Sequence, residues 1–332
     1  MRAVVTGTGS IAARHLRNLR QLFPAARLAV VVRPHGAGVP ASMDGLVDES
    51  FTDLVAALAQ PADLGIVATP ASVHAAQAEV FAERGIPTLI EKPLAMSVAE
   101  CARLIELEAQ GKAPLMVGYC LRYHPLIAAL REKLADGAVG RIYNVRAEVG
   151  QYLPNWRPGT DYRRGVTAQR SLGGGALMEL SHELDLVRTL LGSPYAVTAV
   201  AARISELETD VEDVAEIVTR HRIAGQEAIA SIHLDLFRRI PRRFIGVDGD
   251  AGHAELDFVA GRLVVRSLAG EPVTVGLPKG FAINDLYLAE IGDLLAPRPP
   301  KIASFADGLA TLRLIEAAAR SAREGKTVHA PY

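Results

Sequence analysis

Cysteine is scarce in this sequence of 332 residues, which contains only Cys101 and Cys120. The two are spaced neither as metal ligands nor as a redox pair, so we expect no bound metal and a reducing, cytoplasmic environment. Long apolar runs are also lacking, and none approaches the roughly 20 residues of a membrane-spanning helix. Because a strand-like stretch starts at Arg2, we expect no signal peptide and no membrane partner.

Charge of one sign is not in excess either, because 36 basic residues face 37 acidic ones. This balance argues against a nucleic-acid partner. The length exceeds what a single hydrophobic core usually holds, about 250–300 residues, so we expect two domains. A change of pattern near residue 120 predicts their ranges as 1–120 and 121–332.

A glycine-rich loop follows the first predicted strand. Residues 2–6 form a short apolar run, and residues 11–22 continue with apolar side chains at helical spacing. Between them lies the pattern Gly-x-Gly-x-x-Ala, which lets a pyrophosphate approach a helix N-terminus closely. A second predicted strand at 28–32 completes the context that this motif requires. The predicted dinucleotide-binding residues are Gly7, Gly9, Ser10, Ile11 and Ala12.

The end of the second predicted strand lacks an acidic residue. NAD-specific sites usually place Asp or Glu there to hold the ribose 2′-hydroxyl, whereas this chain has Arg33. A guanidinium group can pair with a 2′-phosphate or stack on adenine, and the alternative is a solvated arginine at a strand end. We therefore expect NAD(P) as the cofactor and favour NADP.

Strands and helices alternate up to residue 118. Helices are predicted at 51–59, 72–83 and 97–110, and strands at 63–68, 86–90 and 115–118. Such alternation is typical of a parallel, doubly wound α/β sheet, here a Rossmann domain. Right-handed crossovers would gather the strand ends at 7–12, 69–74 and 91–93 on one edge of the sheet.

The last of these strand ends carries Glu91, Lys92 and Pro93. Ligands of open α/β sheets bind at the carboxyl ends of the strands, and the proline restricts the backbone. Both charged side chains are therefore placed for chemistry, with a surface ion pair at a turn as the simpler alternative. Ser97 and Glu100 follow at the spacing of a capping box, which marks the start of the next helix.

Four motifs in order resemble the glucose-fructose oxidoreductase, inositol dehydrogenase and rhizopine-catabolism oxidoreductase family (Gfo/Idh/MocA). They are Gly7-x-Gly9-x-x-Ala12, Thr69-Pro70-x-x-x-His74, Glu91-Lys92-Pro93-Leu94-Ala95 and Gly118-Tyr119-x-x-Arg122-Tyr123-x-Pro125. The resemblance runs through nearly the whole chain. It implies a two-domain, NAD(P)-dependent enzyme that acts on sugars, cyclitols or their derivatives.

The resemblance also implies roles for single residues. Lys92 would lie beside the nicotinamide and hydrogen-bond the reacting hydroxyl group. The residues implied to line the cofactor cleft are Thr69, Pro70, His74 and Glu91. The residues implied to contact the substrate are Tyr119, Arg122 and Tyr123.

From about residue 120 the sequence changes to longer β-type stretches. A helix is predicted at 125–134, a strand at 141–151, further strands between 197 and 265, and helices at 283–295 and 305–323. Alternating polar and apolar side chains predict an α+β domain with a large, mostly antiparallel sheet that has one free face. In the resembled family this face commonly forms an oligomer interface, which implies a homodimer or homotetramer.

A triple glycine at 173–175 opens a predicted helix in the second domain. Glycine lets a ligand or another backbone approach closely. Glu179, His182 and Asp185 follow at intervals of three, so one helical face would carry a histidine between two acids. An imidazole oriented by a carboxylate suits removal of a proton from an alcohol. The alternative is a surface histidine with ordinary ion pairs.

The spacing of these residues departs from the resembled family. Its usual pattern is Gly-Gly-x-x-x-Asp-x-x-x-His, with the acid four residues before the histidine. Here Glu179 stands only three residues before His182, whereas His182-x-x-Asp185 still matches. Either Glu179 or Asp185 is therefore the carboxylate expected to orient the histidine.

The connection at 151–164 is long, aromatic and rich in arginine. Connections of this length are usually functional. Aromatic rings stack on sugar faces and arginines bind carboxylate or phosphate, which predicts an anionic or nucleotide-linked sugar; solvated loop arginines are the alternative. The predicted substrate-binding residues are Trp156, Arg157, Tyr162 and Arg163, with Arg164 as a further candidate, in addition to Lys92 and His182.

These residues together predict an NAD(P)-dependent sugar or cyclitol dehydrogenase, or the corresponding reductase. His182 would remove the hydroxyl proton while Lys92 stabilises the alkoxide and hydride passes to the nicotinamide. Relatives with this fold suggest two alternatives, a redox-neutral glycoside hydrolase with tightly held NAD and a non-enzymatic regulator. A regulator would not need Lys92 and His182.

Overall fold

The computed structural model of the protein describes residues 1–33, 38–268, 270–294 and 301–331. By Cα proximity the chain divides into two compact units. The first contains residues 1–120 and 282–312, and the second contains residues 121–281 and the chain from 313 onward. The sequence placed residues 282–312 in the second domain, but they belong to the first unit. The predicted assignment of cofactor and substrate to separate domains stays a prediction.

The strands and helices follow the predicted order closely. The strands are β1 (Arg2–Thr6), β2 (Arg27–Val31), β3 (Glu49–Phe51), β4 (Leu64–Val67), β5 (Thr88–Ile90), β6 (Leu115–Val117), β7 (Ile142–Gly150), β8 (Ala196–Ala202), β9 (Val214–Ile223), β10 (Gln226–Asp235), β11 (Arg242–Gly249), β12 (Gly252–Asp257), β13 (Arg262–Ser267), β14 (Val273–Gly276), β15 (Ala303–Ser304) and β16 (Val328–His329). The helices are α1 (Ser10–Leu22), α2 (Leu54–Ala57), α3 (His74–Glu83), α4 (Ala102–Ala109), α5 (Pro125–Ala135), α6 (Ala176–Glu179), α7 (His182–Leu191), α8 (Asn284–Leu294) and α9 (Phe305–Glu324).

The first unit is built on a sheet of order β15-β6-β5-β4-β1-β2-β3. All neighbouring strands pair in parallel except β15, which runs antiparallel to β6. Every residue of the central strand β1 is buried, as its apolar run predicts. The predicted doubly wound parallel sheet is confirmed, and it brings the ends of β1, β4 and β5 side by side.

Residues 282–312 join this unit through α8 and β15. Asn18 of α1 and Asn284 of α8 exchange two amide hydrogen bonds, at 2.8 and 3.3 Å. The guanidinium group of Arg14 lies 4.5 Å from the ring centre of Tyr287, also on α8. These polar contacts join residues far apart in sequence, so the sequence pattern contains no sign of them.

The helix predicted at 51–59 is observed only over Leu54–Ala57. Residues Glu49–Phe51 instead form β3, which extends the sheet beside β2. The helix begins only after Asp53, whose side chain accepts a hydrogen bond from the Ala56 N–H at 2.7 Å. Pairing with an available sheet edge outweighs the weak helical pattern of so short a segment.

The second unit is built on a sheet of order β14-β13-β12-β11-β7-β10-β9-β8-β16. Its strands pair antiparallel except β7 and β10, so the predicted mostly antiparallel sheet is confirmed. Helices α5, α6 and α7 pack against this sheet. On β8, β9 and β10 buried and exposed residues alternate, and the exposed side chains include Val200, Val218 and Ile229.

Two further expectations concern helices. The predicted helix at 283–295 is observed as α8, and residue 295 lies outside the described residues. None of the helices in the described ranges is long and apolar enough to cross a membrane.

Candidate active site

The glycine loop after β1 forms a cradle at the start of α1. Gly7 has φ +100°, and a Cβ there would collide with the carbonyl oxygen of Ala68. Gly9 is the N-cap of α1 with extended backbone, and in the part of the chain that the structure describes no atom beyond its chain neighbours lies within 4 Å of the place where its Cβ would be. Among the described residues no side chain caps α1, and its first turn contains no acid. An uncapped helix start after a glycine without a close neighbour suits a pyrophosphate.

The other predicted cofactor residues surround this cradle in different ways. Ser10 and Ile11 form the first turn of α1, and Ala12 is fully buried against the sheet. Arg33 is exposed two residues beyond the end of β2. Thr69 and Pro70 are half-buried directly after β4.

His74 ties the loop after β4 to the loop after β5. Its ring is buried, with Nδ1 2.8 Å from the carbonyl oxygen of Pro93 and Nε2 2.7 Å from that of Thr69. Burial lowers the pKa of His74, although both carbonyl oxygens and Glu91 act in the opposite direction. A neutral ring donates only one N–H, so it bonds one of the two carbonyls at a time. The buried ring of His74 thus lies between the two loops, with a carbonyl oxygen of each loop beside one of its nitrogens.

Gln77 is a residue that the sequence reasoning missed. Its Oε1 accepts hydrogen bonds from the hydroxyl groups of Thr6, at 2.6 Å, and Thr69, at 2.9 Å. It thereby joins the end of β1 to the loop after β4. A glutamine in a helix carries no signal of such a role.

Glu91 is buried instead of exposed at a turn. Its N–H donates to the carbonyl oxygen of Val67 at 2.9 Å, and its Oε1 lies 2.6 Å from Nε2 of the fully buried His15. Burial acts to raise the pKa of Glu91, but the hydrogen bond and charge of His15, with Lys92 and His74, hold that pKa below its ordinary value. The carboxylate therefore stays ionised beside Lys92, which is half-buried.

His15 was not singled out from the sequence, although a signal for it exists. It lies three residues after Ala12 and four before Leu19, on the apolar face of α1. A histidine at that position has to be buried and needs a polar partner. The partner, Glu91, is distant in sequence and is known only from the fold.

The predicted capping box is confirmed with a small shift. Ser97 Oγ accepts from the N–H of Glu100 at 3.3 Å, and the Glu100 carboxylate accepts from the N–H of Met96 at 3.1 Å. A short 3₁₀ turn over Ala99–Cys101 then leads into α4.

In the second unit the triple glycine lets neighbouring groups approach closely. A Cβ on Gly174 would collide with the carbonyl oxygens of Val166 and Thr167, and one on Gly175, at φ +108°, would collide with the Glu212 carboxylate. Glu212 accepts a hydrogen bond from the N–H of Leu177 at 3.1 Å, in the first turn of α6. The predicted approach of another backbone to these glycines is confirmed.

The predicted single helix through Glu179, His182 and Asp185 is wrong. Helix α6 ends at Glu179, Leu180 leaves helical geometry with ψ +25°, and α7 begins at His182. The three residues therefore do not share one continuous helical face. Two buried acids in the first turn of α7 form ion pairs with arginines. These arginines lie far away in sequence, so the local sequence pattern does not predict the ion pairs.

The acids of these ion pairs are Glu183 and Asp185. Asp185 accepts two hydrogen bonds from Arg122, at 2.6 and 2.8 Å. Glu183 accepts two from Arg243, at 2.7 and 3.0 Å. His182 itself is half-buried at the first position of α7. Which acid orients His182 stays a prediction.

The remaining residues of the Gly118 motif are largely enclosed. Tyr119 is 1% exposed, Tyr123 is half-buried and the Arg122 side chain is 10% exposed. The guanidinium group of Arg122 is directed to Asp185. Their predicted contacts to substrate stay predictions.

The predicted substrate loop encloses a cavity of about 380 Å³. We call it the arginine cavity, and its lining includes Trp156, Arg157, Asp161, Tyr162, Arg164 and Thr167. Arg163 does not line it. Its guanidinium group instead bonds the Asp161 carboxylate, at 2.8 and 3.1 Å, and Glu208 at 3.2 Å.

Comparison with known proteins places this geometry in a family. Residues 1–119 match the Gfo/Idh/MocA oxidoreductase family with NAD-binding Rossmann fold, and residues 127–255 match the C-terminal domain of the same family. The chain belongs to the Gfo/Idh/MocA oxidoreductase family. The predicted family, the two-part α/β fold and the class of NAD-dependent oxidoreductase are thereby confirmed.

Several members of the Gfo/Idh/MocA family are similar over nearly the whole chain. UDP-N-acetylglucosamine 3-dehydrogenase of Acidithiobacillus ferrooxidans is 28% identical over 326 residues, covering 96% of this chain and 95% of that enzyme. Inositol 2-dehydrogenase of Rubrobacter xylanophilus is 25% identical and covers 97% and 90%. The crystal structure of aldose-aldose oxidoreductase from Caulobacter crescentus, complexed with glycerol, is 27% identical, with a TM-score of 0.80 and 99% of each chain covered.

Proposed function

We propose that this protein is an NAD(P)-dependent dehydrogenase, or the corresponding reductase, for a secondary hydroxyl group of a sugar, sugar derivative or cyclitol. The observation that carries the proposal is the first unit's sheet edge. There the glycine cradle and Lys92 follow strands that are separated only by β4. Relatives named as dehydrogenases of a nucleotide-linked sugar and of a cyclitol support the substrate class.

The chain's own residues would divide the work as follows. Lys92, an ammonium donor, would hydrogen-bond the substrate oxygen and stabilise its developing negative charge. His182 would take the hydroxyl proton on its imidazole, oriented by Glu179 or Asp185. When bound, the nicotinamide ring supplies the acceptor for the hydride. Glu91, held by His15, would keep a fixed negative charge next to Lys92.

The fit of the cofactor rests on the cradle at the start of α1. Its open N–H groups, its two glycines and the lack of a neighbouring acid in the first turn suit a pyrophosphate. For the adenine end we propose NADP, because exposed Arg33 stands where NAD-specific enzymes usually have an acid. A 2′-phosphate would pair with its guanidinium group.

We further propose that the protein forms a homodimer or homotetramer through the open face of the second sheet. Three apolar side chains on this face, Val200, Val218 and Ile229, are 41–66% exposed. The ion pair of Arg220 with Glu227 lies near the turn that joins β9 to β10. Apolar side chains within a charged rim are typical of a protein interface.

Substrates within the proposed class include anionic and nucleotide-linked sugars.

Substitution of Lys92 tests the proposed function. We expect Lys92→Met to lower turnover of NAD(P)+ with a sugar and cyclitol panel by at least a thousandfold, because the donor to the alkoxide is lost. The affinity for NAD(P)H, measured by fluorescence titration, should change less than threefold. Lys112→Met, which removes an exposed lysine of the same unit, should match wild type in both measurements.

Other outcomes would point elsewhere. A large loss of cofactor affinity in Lys92→Met would contradict the assigned role of this lysine. Release of an aglycone without net change of nicotinamide absorbance would identify a glycoside hydrolase. Cofactor binding that is equal in wild type, Lys92→Met and His182→Asn, with no turnover of any substrate, would favour a regulator.

A further inference from the structure

The arginine cavity has rigid aromatic walls. The indole N–H of Trp156 donates to the carbonyl oxygen of Gln151 at 3.3 Å, and the hydroxyl of Tyr162 accepts from the N–H of Glu208 at 3.1 Å. Each ring is thus held at its polar end, and both residues line the cavity. Aromatic rings fixed in advance bind a ligand at little cost in conformational entropy.

The arginines of the substrate loop differ in whether they have an ion-pair partner. Arg163 is committed to Asp161 and Glu208, and its side-chain hydrogen bond keeps the pKa of Asp161 below its usual range. Among the described residues, no carboxylate lies within ion-pair distance of Arg157 or Arg164, which both line the cavity. Two cationic groups therefore line a space whose lining acid, Asp161, already has an ion-pair partner in Arg163 outside the cavity.

One wall of the cavity adjoins the segment that carries the proposed general base. Gly165 and Thr167 line the cavity, and the carbonyl oxygen of Thr167 accepts from the N–H of Gly175 at 3.1 Å. Gly175 is the residue immediately before α6. The cavity is therefore built into the same backbone framework as Glu179 and His182.

From this geometry we infer that the arginine cavity binds the charged group of an anionic sugar, a carboxylate or a phosphate, through Arg157 and Arg164. The sugar ring stacks between Trp156 and Tyr162. At about 380 Å³ the cavity lies near the small end of ligand sites, which span about 300–1,000 Å³. It encloses one ring and its charged substituent, not a whole nucleotide-linked sugar. The inference rests on the proposed function, since that function makes a sugar the occupant.

Calorimetric titrations of the full-length protein, saturated with whichever of NADH and NADPH it binds more tightly, test the inference with three probes: D-glucuronate, D-glucose 6-phosphate and D-glucose. We expect at least one charged sugar to bind tenfold or more tightly than D-glucose at low salt, and the tighter of the two identifies the anion. Arg157→Ala and Arg164→Ala should each weaken its binding about five- to tenfold, since both side chains are exposed and screened. Arg131→Ala, an exposed arginine of α5, should leave it unchanged.

Charged sugars that bind no more tightly than D-glucose, or that do not bind at all, would overturn the inference. So would Arg157→Ala and Arg164→Ala variants that both behave as Arg131→Ala does. The proposed function is measured separately, by NAD(P)H fluorescence and by NAD(P)+ reduction with neutral cyclitols. Neutral substrates oxidised normally with silent arginine variants would leave the dehydrogenase standing and remove only the anionic substrate.

Discussion

A buried carboxylate beside the proposed catalytic lysine requires a partner. Glu91 is 7% exposed, and an unpaired charge at such a position would cost several kcal/mol. The partner is His15, whose Nε2 lies 2.6 Å from Glu91 Oε1. His15 belongs to α1, the helix whose N-terminus forms the cofactor cradle. One short contact thus links the pyrophosphate helix to the segment that carries Lys92.

Gly118 leaves the space that this carboxylate occupies. A Cβ at residue 118 would lie 3.1 Å from Glu91 Oε2 and 3.3 Å from Glu91 Cδ, closer than most Cβ contacts in folded proteins. We expect Gly118→Ala to lower the free energy of unfolding by about 1–3 kcal/mol, as overpacked cores do, and to displace Glu91. Urea denaturation measures the first effect, and turnover the second.

Gly292→Ala in α8 is the matched control for this substitution. Within the described ranges, no atom outside its own helix lies within 4 Å of the place where its Cβ would be, and the residue is helical. Alanine there should stabilise the protein slightly, by about 0.5–1 kcal/mol. A Gly118→Ala variant as stable and as active as this control would show that Glu91 is not held tightly.

Among the elements, those that depend on local pattern follow the sequence best. β1 and α1 lie within one residue of their predicted bounds, because an apolar run and a helical repeat specify them directly. The break between α6 and α7 was missed. The side chains that contact this segment, Glu212, Arg122 and Arg243, come from distant parts of the chain.

Glu212 accepts a hydrogen bond from the first turn of α6 and makes the stability of the protein depend on pH. Burial raises its pKa above the ordinary value of 4.5, so the folded protein holds this proton more tightly than the unfolded chain. Ionisation therefore removes stability as pH rises through the folded pKa. A glutamine at this position avoids that loss and keeps an acceptor for the Leu177 N–H.

We expect Glu212→Gln to be at least as stable as wild type at pH 7, with an advantage that vanishes below about pH 4.5. Urea denaturation at pH 4 and pH 7 measures this difference. Glu206→Gln, at an exposed glutamate of the same connection, should show no such trend. A Glu212→Gln variant that is less stable than wild type at pH 7 but equal to it at pH 4 would reverse the assigned sign.

At the scale of the whole molecule, the order of the helices and strands was predictable. That the chain rejoins the first unit after the second sheet was not predictable. Residues 282–312 follow the second sheet in sequence, yet they join the first unit. The contacts responsible, the Asn18–Asn284 pair and the two-residue strand β15, are too small to leave a periodic pattern. The arginine cavity was also predictable only in part. The sequence suggested its arginines, but it did not show that Arg163 forms ion pairs with two acids.

The open face of the second sheet leads to a prediction about the oligomeric state. We expect Val218→Asp, at a position 43% exposed on β9, to lower the mass measured by light scattering to that of a monomer, because a charge would be buried in the interface. Val55→Asp, at a 53% exposed position on α2, should leave the mass unchanged.

Two results would count against this interface. A monomeric wild-type protein would remove it altogether. A Val218→Asp protein with the wild-type oligomeric mass would move the contact to another surface.

The most direct test of the central claim is a fluorescence titration of the purified protein with NADH and NADPH in parallel. The glycine cradle requires saturable binding of at least one of them, and Arg33 favours NADPH. Preference for NADH would leave the dehydrogenase in place and assign Arg33 to adenine or solvent. If neither dinucleotide binds, and none is retained from purification, the protein is not the NAD(P)-dependent enzyme proposed here.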